Sequence, residues 1–136
     1  MAEFISYLLK IENNKEKKIN IGRLGKINFK KGFYVYVGSA KKNLNQRIKR
    51  HFSQNKKIFW HIDYLLKEKG VRIIKVWKSG SEECKIAKVL SLYGKAIKNF
   101  GSSDCGCGGH LFYINSYNFK NFLKKLNLDE VYASRH

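Results

Sequence analysis

The chain has 136 residues, 43% of them hydrophobic and 14% aromatic, with 28 lysines and arginines against 10 acids. That is the length of one ordinary domain, and apolar clusters recurring from end to end exclude a disordered basic tail. A single domain over residues 1–136 is therefore expected, and its formal charge of +18 calls for a polyanionic partner, either nucleic acid or an anionic membrane surface.

The opening stretch MAEFISYLLKIENN carries only a short apolar run behind an acid. It fits neither a signal peptide nor a membrane span, so a cytoplasmic location is expected. Three cysteines, two of them in Cys105-Gly106-Cys107, do not form a secreted disulfide framework; reduced thiols or metal ligands are the alternatives.

In chain order, Phe4 to Ile11 is β-prone, and Lys18 to Phe29 reads as a strand with a tight reversal at Gly22 and Gly25. Gly32 then opens the dense β-branched and aromatic run Phe33 to Val37, which stops at Gly38-Ser39. These segments predict an N-terminal antiparallel sheet. From Lys41 to Phe52 the spacing turns helical, with Leu44, Ile48 and His51 or Phe52 on one side and Lys41, Lys42, Arg47, Lys49 and Arg50 on the other. A second helix is predicted over Trp60 to Lys69, then a strand from Val71 to Trp77. Ser79 and Glu82 have the spacing of a capping box for a helix running to about Tyr93. A polar, glycine-rich loop from Phe100 to His110, a strand Leu111 to Ile114 and an amphipathic helix from about Asn118 to Leu126 close the chain. The fold class is α+β, an α/β sandwich with a small central antiparallel sheet flanked by helices.

Hydrolysis of a phosphodiester needs a group that orients or deprotonates water, a cation facing the developing charge, and usually a metal ion. Tyr36 stands at a strand end beside Gly38, where the glycine permits close approach. Arg47 and His51 are four apart on the following helix and share a face. Glu83 begins a stripe continued by Ile86, Ala87 and Leu90, where a carboxylate is costly unless a metal or a base pairs it.

The stretch Gly32-Phe-Tyr-Val-Tyr-Val-Gly-Ser-Ala40, followed by Leu44-x-x-Arg47-x-x-x-His51, resembles the second half of the GIY-YIG nuclease signature. The blocks Trp60-His61-Ile62-Asp63-Tyr64-Leu65, Glu83-Cys84-x-Ile86-Ala87 and Gly101-Ser-Ser-Asp-Cys-x-Cys-x-x-His110-Leu-Phe-Tyr113 resemble its Uri-type endonuclease branch, long labelled a domain of unknown function. The likeness covers nearly the whole chain. It implies that Tyr36 and Tyr7, the latter in a first half that has lost its glycine, orient or deprotonate water. Arg47 would stabilise the scissile phosphate, His51 would hydrogen-bond the nucleophile or a phosphate oxygen, and Glu83 would hold Mg²⁺ or Mn²⁺. Arg47 with Lys41 or Lys42 would lower the phenol pKa from its reference value of about 10. Lys41, Lys42, Arg50, Ser102 and Ser103 are the candidate nucleic-acid contacts.

The resulting expectation is a metal-dependent endonuclease that hydrolyses phosphodiester bonds of DNA, with DNA expected ahead of RNA as the substrate. It would read backbone, strand state or a junction, in repair or DNA uptake. The alternative is a non-catalytic nucleic-acid-binding module, which would need the lysines and arginines but neither Glu83 nor the tyrosine pair. A zinc-dependent base deaminase is unsupported, because its His-x-Glu and Cys-x-x-Cys pairing is absent. Two readings of the cysteine loop stay open. Cys105, Cys107 and His110 would ligate zinc with Cys84 or His61, or the thiols would pack inside a loop whose Ser102, Ser103 and glycine amides grip phosphate. Asp104 would be a second metal contact or an Asx-turn residue. Trp60 is assigned to the core, and His61 and Asp63 to the border of the site by the family likeness.

Overall fold

The computed structural model describes residues 3–40, 42–53, 56–100 and 110–134. The elements are β1 (Ser6–Asn13), β2 (Lys17–Asn20), β3 (Lys26–Phe29), β4 (Gly32–Ser39), α1 (Leu44–Phe52), α2 (His61–Leu66), β5 (Val71–Ser79), α3 (Glu83–Leu90), β6 (Lys95–Ala96), β7 (Leu111–Ile114), α4 (Ser116–Leu123) and β8 (Asp129–Ala133). Six strands form one sheet in the order β6-β7-β4-β1-β5-β8, and β2 and β3 form a separate two-stranded sheet. All the strand pairs are antiparallel.

Alternation along β1 and β4 splits the core in two, since successive strand side chains leave opposite faces of a sheet. Tyr7, Leu9, Ile11, Tyr34 and Tyr36 face one way and pack with Ile48 of α1, Ile62 and Leu65 of α2, and Ile19 and Phe29 of the hairpin. Leu8, Val35, Val37 and Trp77 face the other way, against Ile86 and Leu90 of α3 and Phe119 and Phe122 of α4. The α+β sandwich expected from the sequence is thus present, with helices on both faces. Fully buried Ile86 and Leu90 would each contribute about 1.5–3 kcal/mol of burial, enough to hold a helix this short in place.

Four local expectations need correction. Lys18 to Phe29 does not join the main sheet; it reverses through a 3-10 turn, Gly22–Leu24, into its own hairpin. Ser79 does not cap α3. Its carbonyl accepts from the amide of Ile5 and it pairs with Ser6, so the sheet claims it, and among the described residues its hydroxyl accepts only from the amide of Ser81. The cap residue is Glu82, without a side-chain bond to the helix, and α3 ends at Leu90. The helices are also shorter than their apolar spacing, α2 stopping at Leu66 and α4 at Leu123. Finally β8 follows α4 and pairs with β5 at the sheet edge, every residue of it exposed. Backbone hydrogen bonds place it there, and no apolar alternation announces it.

Candidate functional site

The register of β1 on β4 sets Tyr7 opposite Gly38 and Leu9 opposite Tyr36. Opposed residues share a face and residues two apart are diagonal neighbours, so Tyr7 and Tyr36 lie side by side. Gly38 makes this possible. A Cβ at that position would fall 2.4 Å from Cζ of Tyr7, so the phenol occupies the space a side chain would need. Both tyrosines are buried, at 2% and 8% exposure.

Helix α1 runs across this face. One turn apart, Arg47 is exposed and His51 is buried. The hydroxyl of Tyr7 lies 2.6 Å from Nε2 of His51, and the ring centroid of Tyr36 is 6.0 Å from that of His51, edge-on. Arg47 donates to the Ser39 carbonyl at the end of β4 and lies 5.0 Å from the ring centre of Trp60. Arg50 covers the same indole at 4.4 Å and donates through both terminal nitrogens to the carboxylate of Asp63, each bond 2.9 Å long. Asp63 is fully buried and accepts in addition from the amides of Phe59 and Trp60, which fixes the entry to α2.

Glu83 is the first residue of α3. Its Oε2 lies 3.2 Å from Nδ1 of His110, the buried residue just before β7, and the other ring nitrogen of His110 lies 4.0 Å from Sγ of Cys84. His61 packs edge-on to Phe100, with centroids 5.6 Å apart.

Burial and neighbouring charges set the protonation of the two phenols and of the imidazole. Burial raises the pKa of Tyr36 most, the charges of Glu83 and Asp63 raise it further, and Arg47 lowers it. For Tyr7, burial and Tyr36 raise it, Arg47 lowers it, and Glu83 and Asp63 raise it again. The two phenols therefore feel the same guanidinium and the same carboxylates. The sign of the result departs from the sequence-based expectation: Arg47 acts as foreseen, but burial outweighs it and both phenols stay protonated. His51 is pushed down to about 4, chiefly by burial and against the pull of Asp63, so its imidazole is neutral near pH 7. A protonated Tyr7 then donates to Nε2, leaving the ring proton on Nδ1, a buried atom with no partner among the described residues.

The structure thus packs Tyr7, Tyr36 and His51 together, with Arg47 one turn before His51 on α1, while the charges of Arg47 and Glu83 both act on the two phenols. Lys42 is exposed just ahead of α1, whereas Arg50 spends its donors on Asp63 and on the carbonyl of Lys57. Lys41, Ser102, Ser103, Asp104, Cys105 and Cys107 lie outside the described residues. Trp60 is partly buried against the core, as expected, but it also carries two guanidiniums on its ring. Asp63 is more central than the sequence suggested, and its position three residues after Trp60, at the start of α2, was the available signal. The pairing of His110 with Glu83 left none, since 27 positions separate them (110 − 83). Among the described residues no three His, Cys, Asp or Glu side chains converge as a metal cluster, so an ion at Glu83 would draw its other ligands from water and substrate oxygens, as Mg²⁺ commonly does.

Among the described residues no helix is long and apolar enough to cross a membrane. No curated protein and no solved structure matches the chain. A family model does match residues 6–130, which takes in the whole cluster around Tyr7, Arg47, His51 and Glu83, and on that match the chain belongs to the family described as Domain of unknown function DUF123.

Proposed function

We propose that this protein is a divalent-metal-dependent endonuclease of the GIY-YIG type, Uri branch, that hydrolyses DNA with selection for strand state or structure. One observation carries the reading: two neighbouring buried phenols, one of them bonded to a neutral histidine, share the fields of Arg47 and Glu83. A binding module has no use for that arrangement, because affinity for phosphates needs only exposed cations.

Neutral phenols and a neutral imidazole orient water better than they deprotonate it at rest. Tyr36 fixes the water by hydrogen bonding. As the water oxygen bonds to phosphorus and the bond to the leaving oxygen breaks, the water becomes acidic; its proton passes to the Tyr7 oxygen while that hydroxyl gives its own to His51 Nε2. Arg47 keeps donors beyond the one on Ser39 for a phosphate oxygen. Glu83, whose charge acts on both phenols and whose side chain is partly exposed, would hold Mg²⁺ or Mn²⁺. When bound, that ion would neutralise charge on the phosphoryl and leaving oxygens. Catalysis of this kind is mainly electrostatic.

The test is cleavage of single-stranded, duplex, flapped and branched DNA at fixed salt, with Mg²⁺ or Mn²⁺ and with EDTA, comparing wild type and Glu83→Ala. Metal-dependent nicking lost in the variant is expected. Equal binding by both proteins with no nicking of any substrate would instead make the chain a non-catalytic nucleic-acid-binding module.

A further inference from the structure

Phe59 is 77% exposed, more than any other aromatic side chain of the described residues. A lone apolar group at a surface is ordinary; what sets Phe59 apart is the backbone beneath it. The carbonyl of Lys57 accepts from Nη2 of Arg50 at 2.8 Å, and the amides of Phe59 and Trp60 both donate to Oδ2 of Asp63 at 2.9 Å. Arg50 in turn holds that carboxylate through both terminal nitrogens. The segment entering α2 is therefore pinned from α1 and from α2 at once. A large ring stands in water on a fixed backbone, so binding a partner through it costs little further ordering.

Its neighbours are aromatic and cationic. The Phe59 ring is perpendicular to the indole of Trp60, at 89° with centroids 5.4 Å apart, and this is its only ring contact among the described residues. Trp60 is itself partly buried and already carries the guanidiniums of Arg47 and Arg50. Phe59 is thus the open aromatic surface beside Arg47. That guanidinium is 5.0 Å from the indole centre, so the Phe59 ring centre is within about 10 Å of it, the reach from a phosphate to a base one or two nucleotides along a strand. Lys57, two residues earlier on the same segment, is exposed.

We propose that Phe59 is a stacking platform for an unpaired nucleobase beside the phosphate that meets Arg47, an inference that rests on the nucleic-acid reading above. A flat ring among cations suits an anionic chain whose units carry π-faces. The same ring is too small for a protein partner, since a stable protein interface takes about 800 Å² from each side. Within a continuous duplex the faces of each base are covered by its neighbours, so the platform engages single strands and the unpaired arms of junctions. Because every base has a π-face, the platform selects strand state and not sequence. It would also fix which phosphodiester comes to lie at Arg47.

The experiment measures binding of the full chain at fixed salt and in EDTA, so that no cleavage intervenes. The probes are a short thymine oligonucleotide and a fully abasic strand with the same number of phosphates, read by fluorescence anisotropy. Wild type should prefer the thymine strand by about 10-fold or more, the loss typical of one stacked base. Phe59→Ala should lose most of that preference while binding the abasic strand as wild type does, and Phe59→Tyr should restore it. Ultraviolet cross-linking of wild type to the thymine strand should place an adduct on Phe59, a readout that needs no variant to fold. Equal binding of the two strands by wild type overturns the proposal. So does a preference that Phe59→Ala keeps in full, or adducts confined to other residues. Loss of base preference in Phe59→Ala of a protein that cuts nothing would sink the nuclease reading alone, whereas metal-dependent nicking without any base preference would sink the platform alone.

Discussion

The hydroxyl of Tyr7 and Nε2 of His51 are 2.6 Å apart although 44 positions separate them in the chain. This bond joins the second residue of β1 to a late turn of α1, and it forms because both groups are buried where water cannot compete.

Burial of His51 makes stability depend on pH. Its pKa is about 4 in the folded chain against about 6.5 unfolded, so between these values the unfolded state binds more protons. Stability from this group is intact above pH 6.5 and is lost progressively as pH falls toward 4, amounting to about 2 kcal/mol at pH 5. Urea unfolding at pH 7.5 and pH 5 should show that loss in wild type and a smaller one in His51→Gln. Equal losses would place the titration elsewhere.

Gly38→Ala should act through Tyr7. The new methyl would stand 2.4 Å from the Tyr7 ring, so the phenol or the strand must move. A cost of about 1–3 kcal/mol is expected from overpacking, together with loss of the Tyr7–His51 bond. Thermal unfolding measures the first effect, and the imidazole nitrogen chemical shifts measure the second. An unchanged histidine spectrum would contradict the close approach.

Asp63→Asn should destabilise by about 3–5 kcal/mol, because it leaves the partly buried Arg50 without its bidentate partner. The carboxylate also accepts from two amides ahead of α2. Although burial alone would raise its pKa, the bonds from Arg50 and from those amides outweigh it and hold it low. Its stabilisation is therefore complete above the ordinary Asp range and is lost only below it, at lower pH than the His51 effect. Chemical denaturation checks the magnitude, and a change under 1 kcal/mol would show the pair to be dispensable.

Arg47→Ala should separate chemistry from general attraction. The side chain is exposed and the chain keeps nearly all its positive charge, so affinity for DNA should fall modestly and the salt slope of binding by about 1. Nicking at saturating DNA should fall by about 100-fold or more if the guanidinium meets charge in the transition state. Equal losses in affinity and rate would make it an ordinary phosphate contact.

The helical spacing of Leu44, Ile48 and His51, and of Glu83 with Ile86, Ala87 and Leu90, was legible because each pattern is carried by neighbours within a few turns. So were the strand ending at Gly38-Ser39 and the strand Leu111–Ile114. Edge strand β8 was not, since its exposed residues carry no alternation and only backbone pairing to β5 defines it. The same distinction explains Ser79, whose capping spacing was real but lost to a strand partner more than 70 positions away.

By itself, then, the sequence determined residue chemistry and local periodicity: an α+β chain with a strongly basic surface, bearing tyrosine, arginine, histidine and glutamate in a recurring order. Tertiary structure alone decided their protonation and partners. It buried Tyr36 deeply enough that desolvation overcomes Arg47, turned Arg50 onto Asp63, and set His110 between Glu83 and Cys84. A pKa or a hydrogen bond depends on what surrounds a group within a few ångströms, and those surroundings come from segments that local spacing cannot bring together.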